Sequence, residues 1–308
     1  MTSGARGNII DAMTAQSELA GAAANAAAAD AAAAAARSAV TVRLLDDLAD
    51  LESMTALIDG IWRPDTGNPL VSVELLRALS HAGNYVAGAF DGAAMIGACV
   101  GFLAAPAGAA LHSHIAGVSS AARGRSVGFA LKLHQRSWAL ERGLTKITWT
   151  ADPLVRRNAY FNIVKLGALP ADYLVEFYGD IGDAVNAGQG TDRLLFQWDV
   201  ASPSVAVTCA GSRSVRDLAD WRDGGAVAVL TETAGGAPEA VVGPPARAAR
   251  TVLVQVPRDI EALRQQDGSL AREWRHAVRE VLGGLLAAGG RVTGFTRSGW
   301  YVVEKGTR

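Results

Sequence analysis

The stretch of sequence that decides the fold is His114-Ile-Ala-Gly-Val-Ser-Ser-Ala-Ala-Arg-Gly-Arg-Ser-Val-Gly-Phe-Ala-Leu-Lys132. Its first residues predict the end of a strand that runs from Ala110 to Val118. From Val127 onward apolar residues recur at helical spacing, which predicts a helix to about Arg142. A short turn with glycine and arginine lies between the two. The stretch therefore predicts a strand, a tight basic turn and a helix.

The turn has the chemistry of a phosphate site. The first N–H groups of a helix lack partners within the helix, and the helix dipole places partial positive charge there. Gly124 and Gly128 let the backbone approach a ligand closely, and Arg123 and Arg125 add permanent positive charge. Together these features favour a bound phosphate or pyrophosphate. The alternative is a tight turn with solvated arginines.

The elements on either side predict an ordered α/β domain. Two apolar runs joined by Asp91-Gly92 predict a β-hairpin. The predicted order is β-α-α-β-β-β-α-β-α-β-β. The predicted strands are Thr41–Leu45, Tyr85–Phe90, Met95–Leu103, Ala110–Val118, Lys146–Thr150, Tyr173–Tyr178 and Leu194–Val200. The predicted helices run towards Trp62, from Ser72, from Val127 and from Arg157 to Leu166.

Two further segments flank this domain, so the sequence predicts three parts: residues 1–40, 41–200 and 201–308. The first part is alanine-rich, with high helix propensity but little side-chain surface to anchor on a core. We predict a tail that is disordered or loosely helical. The sequence pattern of the last part predicts a smaller β-α-β appendage. Its elements are a strand Val252–Val256, a helix Ile260–Ala288 broken near Gly268, and a final strand or hairpin Arg291–Val303.

The basic turn resembles the acyl-CoA-binding motif of the GNAT (Gcn5-related N-acetyltransferase) superfamily, Arg/Gln-x-x-Gly-x-Gly/Ala after a strand that ends in valine. Here the motif is Arg123-Gly124-Arg125-Ser126-Val127-Gly128, with Ser126 where the family usually has its first glycine. The resemblance implies acetyl-CoA or another acyl-CoA as co-substrate. It also implies that the backbone N–H groups from Gly124 through Phe129 hold the pyrophosphate, and that Gly117 and Val118 pair with the pantetheine arm.

The resemblance extends from Thr41 to Val200, about half of the chain, and implies a GNAT fold whose mixed central sheet has splayed central strands. The family usually ends a later helix in Tyr-x-Lys-x-Gly-Phe. Lys165 and Gly167 match, and Ile163 replaces the tyrosine that protonates the leaving thiolate. Either Tyr160 serves instead, or the thiolate leaves with help from water or the helix dipole. The C-terminal extension has no counterpart in a minimal GNAT domain.

A transferase that acts on amines needs a base, because an ammonium group is not nucleophilic. His112 and His114 lie on the strand before the turn and share one face by alternation. His112 precedes Val118 by six residues, where several protein-modifying members of the family hold a glutamate base. Histidine titrates near neutral pH, which suits this task. The alternative is a structural role for one or both histidines. The histidine pair does not indicate a metal site, because no third ligand is evident nearby.

Composition excludes several classes of protein. Lys plus Arg number 29 and Asp plus Glu number 30, so no bulk charge attracts nucleic acid or a membrane. The only cysteines, Cys99 and Cys209, predict reduced core residues. No apolar run long enough to cross a bilayer and no secretory leader is recognised. The sequence therefore predicts a soluble cytoplasmic protein.

Several other residues carry weaker predictions. His134 is predicted in the core or at its boundary. Asp152 follows a central strand, where α/β sheets place ligands, and either binds an amine or shapes a turn. Trp62 and Tyr85 line an acceptor pocket or are ordinary boundary aromatics. The basic stretch Arg272–Arg279 predicts a solvated helix face.

These observations predict an N-acyltransferase that moves an acetyl or other acyl group from acyl-CoA to the amine of a small molecule. One alternative is a GNAT-fold protein that binds acyl-CoA for regulation, without turnover. Another is a transferase whose donor is an acyl carrier protein or an aminoacyl-tRNA. Apart from such a tRNA, we expect no nucleic-acid or membrane partner, and a homodimer is left open.

Overall fold

The structure is a computed structural model that describes residues 3–64, 69–179, 190–212 and 214–306, with side chains from Glu18 onward. The sequence also predicts a turn-rich loop from Pro64 to Pro69, and most of this loop lies outside these residues. The chain divides into two compact units. The first comprises Met1–Ile61, Pro69–Ile147 and Asp199–Ala206, and the second Trp62–Asn68, Thr148–Trp198 and Val207–Arg308. The domain boundaries at residues 40 and 200 stay a prediction.

The first unit contains one part of the larger sheet and the helices packed on it. Its strands are β1 (Thr41–Leu44), β2 (Tyr85–Asp91), β3 (Ala94–Ala104) and β4 (Ala110–Val118), and its helices are α1 (Ser3–Arg37), α2 (Leu48–Trp62, which ends in the second unit), α3 (Val73–His81) and α4 (Val127–Glu141). The strands run antiparallel in the order β1-β2-β3-β4. The predicted hairpin is confirmed, since Asp91 pairs with Ala94 across its turn.

Helix α4 packs closely on this sheet. Val127 and Leu131 are buried on its inner face, opposite Gly97 of β3. A Cβ atom at Gly97 would lie only 3.0 Å from the side chains of both residues. Glycine therefore suits the close approach of α4 to the strand, because a larger residue would force these side chains to shift in a closely packed interior.

Helix α1 packs on α4 through a stripe of alanines. Ala27, Ala31 and Ala34 are buried, at the spacing that puts residues on one helix face. Asp30 forms an ion pair with Nη1 of Arg136 at 3.3 Å, and the arginine side chain is only 2% exposed. Of the two states predicted for residues 1–40, the structure has the helical one from Ser3 to Arg37.

By length and composition alone, one segment of the described chain could cross a membrane. It is Glu18–Arg37, within α1 and near the N-terminus. The prediction that no apolar run reaches this length is wrong, because a run of alanines meets the length and hydropathy required. One such helix is weak evidence for a membrane span, since buried core helices and signal sequences share the same properties.

The second unit contains the rest of the larger sheet and a complete smaller sheet. Its strands are β5 (Lys146–Ala151, which begins in the first unit), β6 (Leu169–Leu174), β7 (Arg193–Asp199), β8 (Val227–Glu232), β9 (Pro238–Ala240), β10 (Thr251–Gln255), β11 (Arg291–Phe295) and β12 (Trp300–Glu304). Its helices are α5 (Arg156–Tyr160, continued by a π-turn Phe161–Lys165), α6 (Pro203–Cys209), α7 (Leu218–Asp223), α8 (Pro244–Ala248), α9 (Ile260–Gln266), α10 (Gly268–Val278, continued by a π-turn Arg279–Gly283) and α11 (Gly284–Ala287).

Both sheets of the second unit have a defined order. The strands of the larger sheet follow one another as β5, β7 and β6, with β6 and β7 antiparallel. The smaller sheet has the order β11-β12-β10-β8-β9, and its pairs are antiparallel except for parallel β8 and β10. Leu253, Trp300 and Val302 are buried in its core. The C-terminal segment is thus larger than the predicted β-α-β appendage.

The predicted fold class is confirmed: the chain is mixed α/β, and its element order from β1 to β7 is the one that the resemblance implies. The predicted position of one strand, Tyr173–Tyr178, is wrong. The strand is β6, Leu169–Leu174, which contains Pro170. Proline interrupts the strand pattern in the sequence, but it is tolerated on the last strand of a sheet, where no ladder bond is lost on the outer side.

Candidate functional site

Helix α4 begins in a turn with unusual backbone conformation. Ser126, the residue before the helix, has φ +61° and ψ +20°, in the left-handed region that favours glycine. This conformation explains why the resembled motif has glycine at the position of Ser126. Gly124 also has a positive φ of +84°.

Four backbone N–H groups of this turn donate to no described residue. They belong to Gly124, Ser126, Val127 and Gly128. The other two N–H groups of the predicted set are occupied. The N–H of Arg125 donates to the carbonyl of Ala122 at 3.4 Å, and that of Phe129 donates to the carbonyl of Ser126 at 3.0 Å. Four donors at the positive end of a helix suit an anion.

The two arginines of the turn differ in their surroundings. Arg125 forms an ion pair with Asp91 at 2.6 Å and donates to the carbonyls of Ser38 and Ala39 at 3.3 Å each. Arg123 is exposed, and its side chain makes no hydrogen bond or ion pair within the described chain. Arg125 therefore anchors the turn, and Arg123 is available to a ligand.

Gly117 and Val118 end β4 just before the turn. The N–H of the next residue, Ser119, donates to the carbonyl of Ile96 on β3 at 2.9 Å. Successive N–H groups of a strand point in opposite directions, so the N–H of Val118 points away from β3. Its orientation suits a partner other than β3, as the predicted pairing with a ligand requires.

Ser119 is a residue that sequence analysis missed. Its Oγ is buried and has no hydrogen-bond partner in the described part of the chain. Buried hydroxyl groups are normally paired, so an orphaned one between β4 and the turn indicates a missing partner. Serine is common in turns, and the only signal was its position directly after the strand.

The strand before the turn brings His112 and His114 together with an aromatic residue. The two imidazole centroids lie 6.3 Å apart. The ring of Phe102, on β3, lies 5.2 Å from His112 and 5.8 Å from His114. His112 is half-buried and His114 is exposed. The two candidate bases thus share one face, as the alternation predicts.

Both histidines favour the neutral form. Burial lowers the pKa of His112, and the charges of His114 and Lys132 lower it further. Partial burial of its ring beside Phe102 also lowers the pKa of His114, although the residue as a whole is exposed. A neutral imidazole can accept a proton, so both residues are poised as bases at neutral pH.

Lys132, on α4, is a buried cation that sequence analysis left without a role. Its side chain is buried, and Nζ donates to Ser113 Oγ at 3.0 Å and to Gln135 Oε1 at 2.8 Å. Burial lowers its pKa to about 8. Ser113 lies between the two histidines in sequence, so Lys132 contacts the same strand. The neighbours of Lys132 on its helix face include Gln135 and Arg136, so nothing in the sequence indicated that this lysine is buried.

Tyr160, the third candidate catalytic residue, belongs to the second unit. Its hydroxyl accepts a hydrogen bond from Arg297 Nη2 at 3.4 Å, and the guanidinium lies 5.8 Å from the ring centroid. Ile163, at the position where the resembled motif has a tyrosine, is buried at 2% exposure. Within the described residues, no group of three His, Cys, Asp or Glu side chains could hold a metal ion.

The weaker predictions have mixed outcomes. His134 is a paired boundary residue as predicted, since its Nδ1 lies 2.8 Å from the hydroxyl of Tyr85. Tyr85 is fully buried and is a core residue. The free cysteines Cys99 and Cys209 are both buried, as predicted.

The prediction of a solvated helix face at Arg272–Arg279 is wrong for its centre. Arg275 is only 3% exposed and binds Asp152 at 2.7 Å. The carboxylate of Asp152 also accepts the N–H of Leu154 at 2.9 Å, which is the predicted turn role. The sequence could not show that an acidic residue more than a hundred positions away compensates this arginine.

Comparison with known proteins gives structural likeness only. No protein-family model and no curated protein matches the chain. The chain is similar to the solved structure of Naa50 from Arabidopsis thaliana in complex with a bisubstrate analogue, with 17% identity and a TM-score of 0.42 over 52% of this chain and 97% of the other. It is similar to the ribosomal-protein-S18-alanine N-acetyltransferase from Escherichia coli, with 13% identity and a TM-score of 0.41 over 53% and 95%. It is also similar to the diaminobutyrate acetyltransferase EctA from Paenibacillus lautus in complex with its substrate and coenzyme A, with 16% identity and a TM-score of 0.41 over 52% and 95%.

Proposed function

We propose that the protein is a GNAT-type N-acyltransferase, which moves an acetyl or other acyl group from acyl-CoA to the amine of a small molecule. One observation carries the proposal: two features occur together in the first unit. One is a basic helix start with four N–H groups that donate to no described residue, and the other is a strand with two histidines that favour the neutral form. The first feature suits a pyrophosphate, and the second suits proton removal from an amine.

The turn before α4 is the donor site of the proposed enzyme. The N–H groups of Gly124, Ser126, Val127 and Gly128 hold the pyrophosphate, and Arg123 adds a permanent charge. The orphaned hydroxyl of Ser119 supplies a further donor. The N–H of Val118, which points away from β3, is the donor for the pantetheine arm and for the oxyanion that forms during transfer.

His112 is the proposed base. It accepts a proton from the ammonium group of the acceptor, and the freed amine nitrogen attacks the thioester carbonyl carbon. The C–N bond forms, the C–S bond breaks, and the second proton that the nitrogen loses passes through water to the coenzyme A thiolate. Direct transfer needs no covalent enzyme intermediate, so positioning and deprotonation supply most of the acceleration.

The deciding experiment measures the melting temperature with and without acetyl-CoA for the wild type, Gly128→Ala and Gly60→Ala. A Cβ at Gly128 would lie 3.7 Å from the Val118 side chain, an ordinary contact, and one at Gly60 would meet nothing within 4 Å. Both variants therefore fold, but only the first adds a methyl group beside the free N–H groups.

We expect acetyl-CoA to raise the melting temperature of the wild type and of Gly60→Ala by about 5 °C at about a hundred times its dissociation constant. The shift is smaller in Gly128→Ala. No shift in the wild type with any acyl-CoA would overturn the coenzyme A donor and favour a carrier-protein or tRNA donor. Release of free thiol with a panel of small amines then identifies acceptors.

One observation favours a second candidate, a protein that binds acyl-CoA without turnover. Ile163 is buried where the family's tyrosine protonates the thiolate, so the usual acid is absent from that position. Acetyl-CoA binding without thiol release from any amine would support this candidate. Turnover that depends on His112 would exclude it.

A further inference from the structure

A cavity of about 370 Å³, partly open to solvent, lies in the first unit and is lined by α1, β1 and α4. Its volume is in the range of about 300–1,000 Å³ that is typical of small-molecule sites. On α4 the lining begins at His134, which is about 10 Å along the helix from Val127. The cavity is therefore separate from the donor turn.

Most of the lining is apolar. Val42 and Leu44 of β1 contribute branched aliphatic side chains. Helix α1 contributes four alanines at the spacing of one helix face. They are Ala28, Ala31, Ala32 and Ala35. Because alanine side chains are single methyl groups, they leave the space between α1 and β1 unfilled. An occupant of this space gains by having an apolar body.

The charged side chains of the lining compensate each other. Glu141 and Arg142 lie 3.9 Å apart, and both are about half exposed. Glu141 also accepts a hydrogen bond from Ser137 Oγ at 2.9 Å, and Arg142 donates to the carbonyl of Trp138 at 3.3 Å. Burial lowers the pKa of His134 although Glu141 raises it, so this ring favours the neutral form. The lining therefore selects no charge, and its occupant is neutral.

Two polar groups of the lining are unpaired. Trp138 is only 4% exposed, yet its indole N–H donates to no described residue. His134 lies one turn earlier on the same face of α4. Its Nδ1 is 2.8 Å from the hydroxyl of Tyr85, whereas Nε2, on the other side of the ring, has no hydrogen-bond partner in the described chain. Neither nitrogen is among the fully buried unpaired atoms, so both are accessible to a ligand. Indole N–H groups in protein interiors normally have a partner.

We propose that this cavity binds a small neutral alcohol. The apolar body of the alcohol fills the space beside the four alanines, and its hydroxyl oxygen accepts a hydrogen bond from the indole N–H of Trp138. The same hydroxyl either donates to Nε2 of His134 or accepts from it, so it suits both tautomers of the ring. A hydrocarbon would leave both nitrogens unpaired. A carboxylate would bring a charge to a lining whose own charges already cancel.

The test titrates the full-length protein, labelled with ¹⁵N at the indole nitrogens, with cyclohexanol. The chain has seven tryptophans, and the spectrum of Trp138→Phe identifies the signal of Trp138. We expect cyclohexanol to move this signal in a saturable manner and cyclohexanecarboxylate, which has the same ring, to leave it in place. The proposal is overturned if the signal stays in place with cyclohexanol. It is also overturned if the signal drifts in proportion to concentration together with the other indole signals, or if the carboxylate moves it equally.

Ala32→Leu tests the location, because the longer side chain occupies the cavity. Ala33→Leu is the matched control, since Ala33 is exposed on the same helix and does not line the cavity. We expect the response to cyclohexanol to disappear in the first variant and to persist in the second. A response that persists in Ala32→Leu would overturn the assignment to this cavity. If Ala32→Leu loses the indole pattern of the folded protein, Ala28→Leu, at another exposed position of the lining, takes its place.

Discussion

The imidazole centroids of His112 and His114 lie 6.3 Å apart on β4. At this distance the protonation of one ring disfavours protonation of the other. The pKa of His112 is lowered by burial, by His114 and by the buried charge of Lys132. The pair therefore provides one base that stays neutral to a lower pH than an isolated histidine.

His112→Asn is expected to lower kcat/KM by about 10²- to 10⁴-fold, because general bases typically contribute that much. Acetyl-CoA binding, measured by thermal shift, is retained, since the donor turn is not altered. His81→Asn, on an exposed histidine, is the control. Unchanged turnover in His112→Asn would remove this residue from the mechanism.

His114→Asn is expected to move the acid limb of the pH–rate profile to higher pH. In the wild type the pKa of His112 lies below 6.5, so activity falls only as pH drops through that lowered value. Removing His114 removes one of the charges that lower this pKa. Profiles of kcat/KM between pH 4.5 and 8 measure the limb. A limb that stays in place would show that His112 is not the titrating base.

Lys132→Met is expected to abolish a rise of stability with pH. The pKa of Lys132 is about 8 in the folded protein and 10.5 ordinarily, so the unfolded chain holds more protons between these values. The free energy of unfolding of the wild type therefore rises above pH 8, by about 1 kcal/mol between pH 8 and 9. Urea titrations of the wild type, Lys132→Met and the control Lys146→Met test this. A rise of equal size in Lys132→Met would contradict the assignment.

Ser126→Gly is expected to stabilise the protein by about 0.5–1 kcal/mol. A non-glycine residue in the left-handed region carries strain of about 1–2 kcal/mol, and the greater chain entropy of glycine offsets part of the gain. Ser120→Gly is the control, because Ser120 lacks a positive φ. Urea denaturation measures both variants. A less stable Ser126→Gly would mean that the serine side chain contributes more than its backbone costs.

The local parts of the fold could be predicted from the sequence. The hairpin at Asp91-Gly92, the strand up to Val118 and the helix from Val127 depend on periodicity and turn chemistry within a few residues. The break near Gly268 in the long C-terminal helix was predicted for the same reason, since α9 ends at Gln266 and α10 begins at Gly268.

Features that depend on distant partners could not be predicted. Pro170 argues against a strand unless the position at the end of the sheet is known. The helical context of Arg275 predicts a solvated side chain, but Asp152 holds it in the interior. The donor turn was predictable as chemistry. Only the structure separates Arg125, which is bound to Asp91, from Arg123, which is not.

The packing of α1 has a consequence for synthesis of the chain on the ribosome. Asp30 and its partner Arg136 are 106 residues apart. At ordinary translation rates, about 5 to 20 s therefore pass between synthesis of α1 and synthesis of α4, which covers it. A stripe of leucines would be exposed to aggregation during this interval. Alanines present little apolar surface and still form helix. The nascent chain therefore exposes little surface that could aggregate before α4 is synthesised.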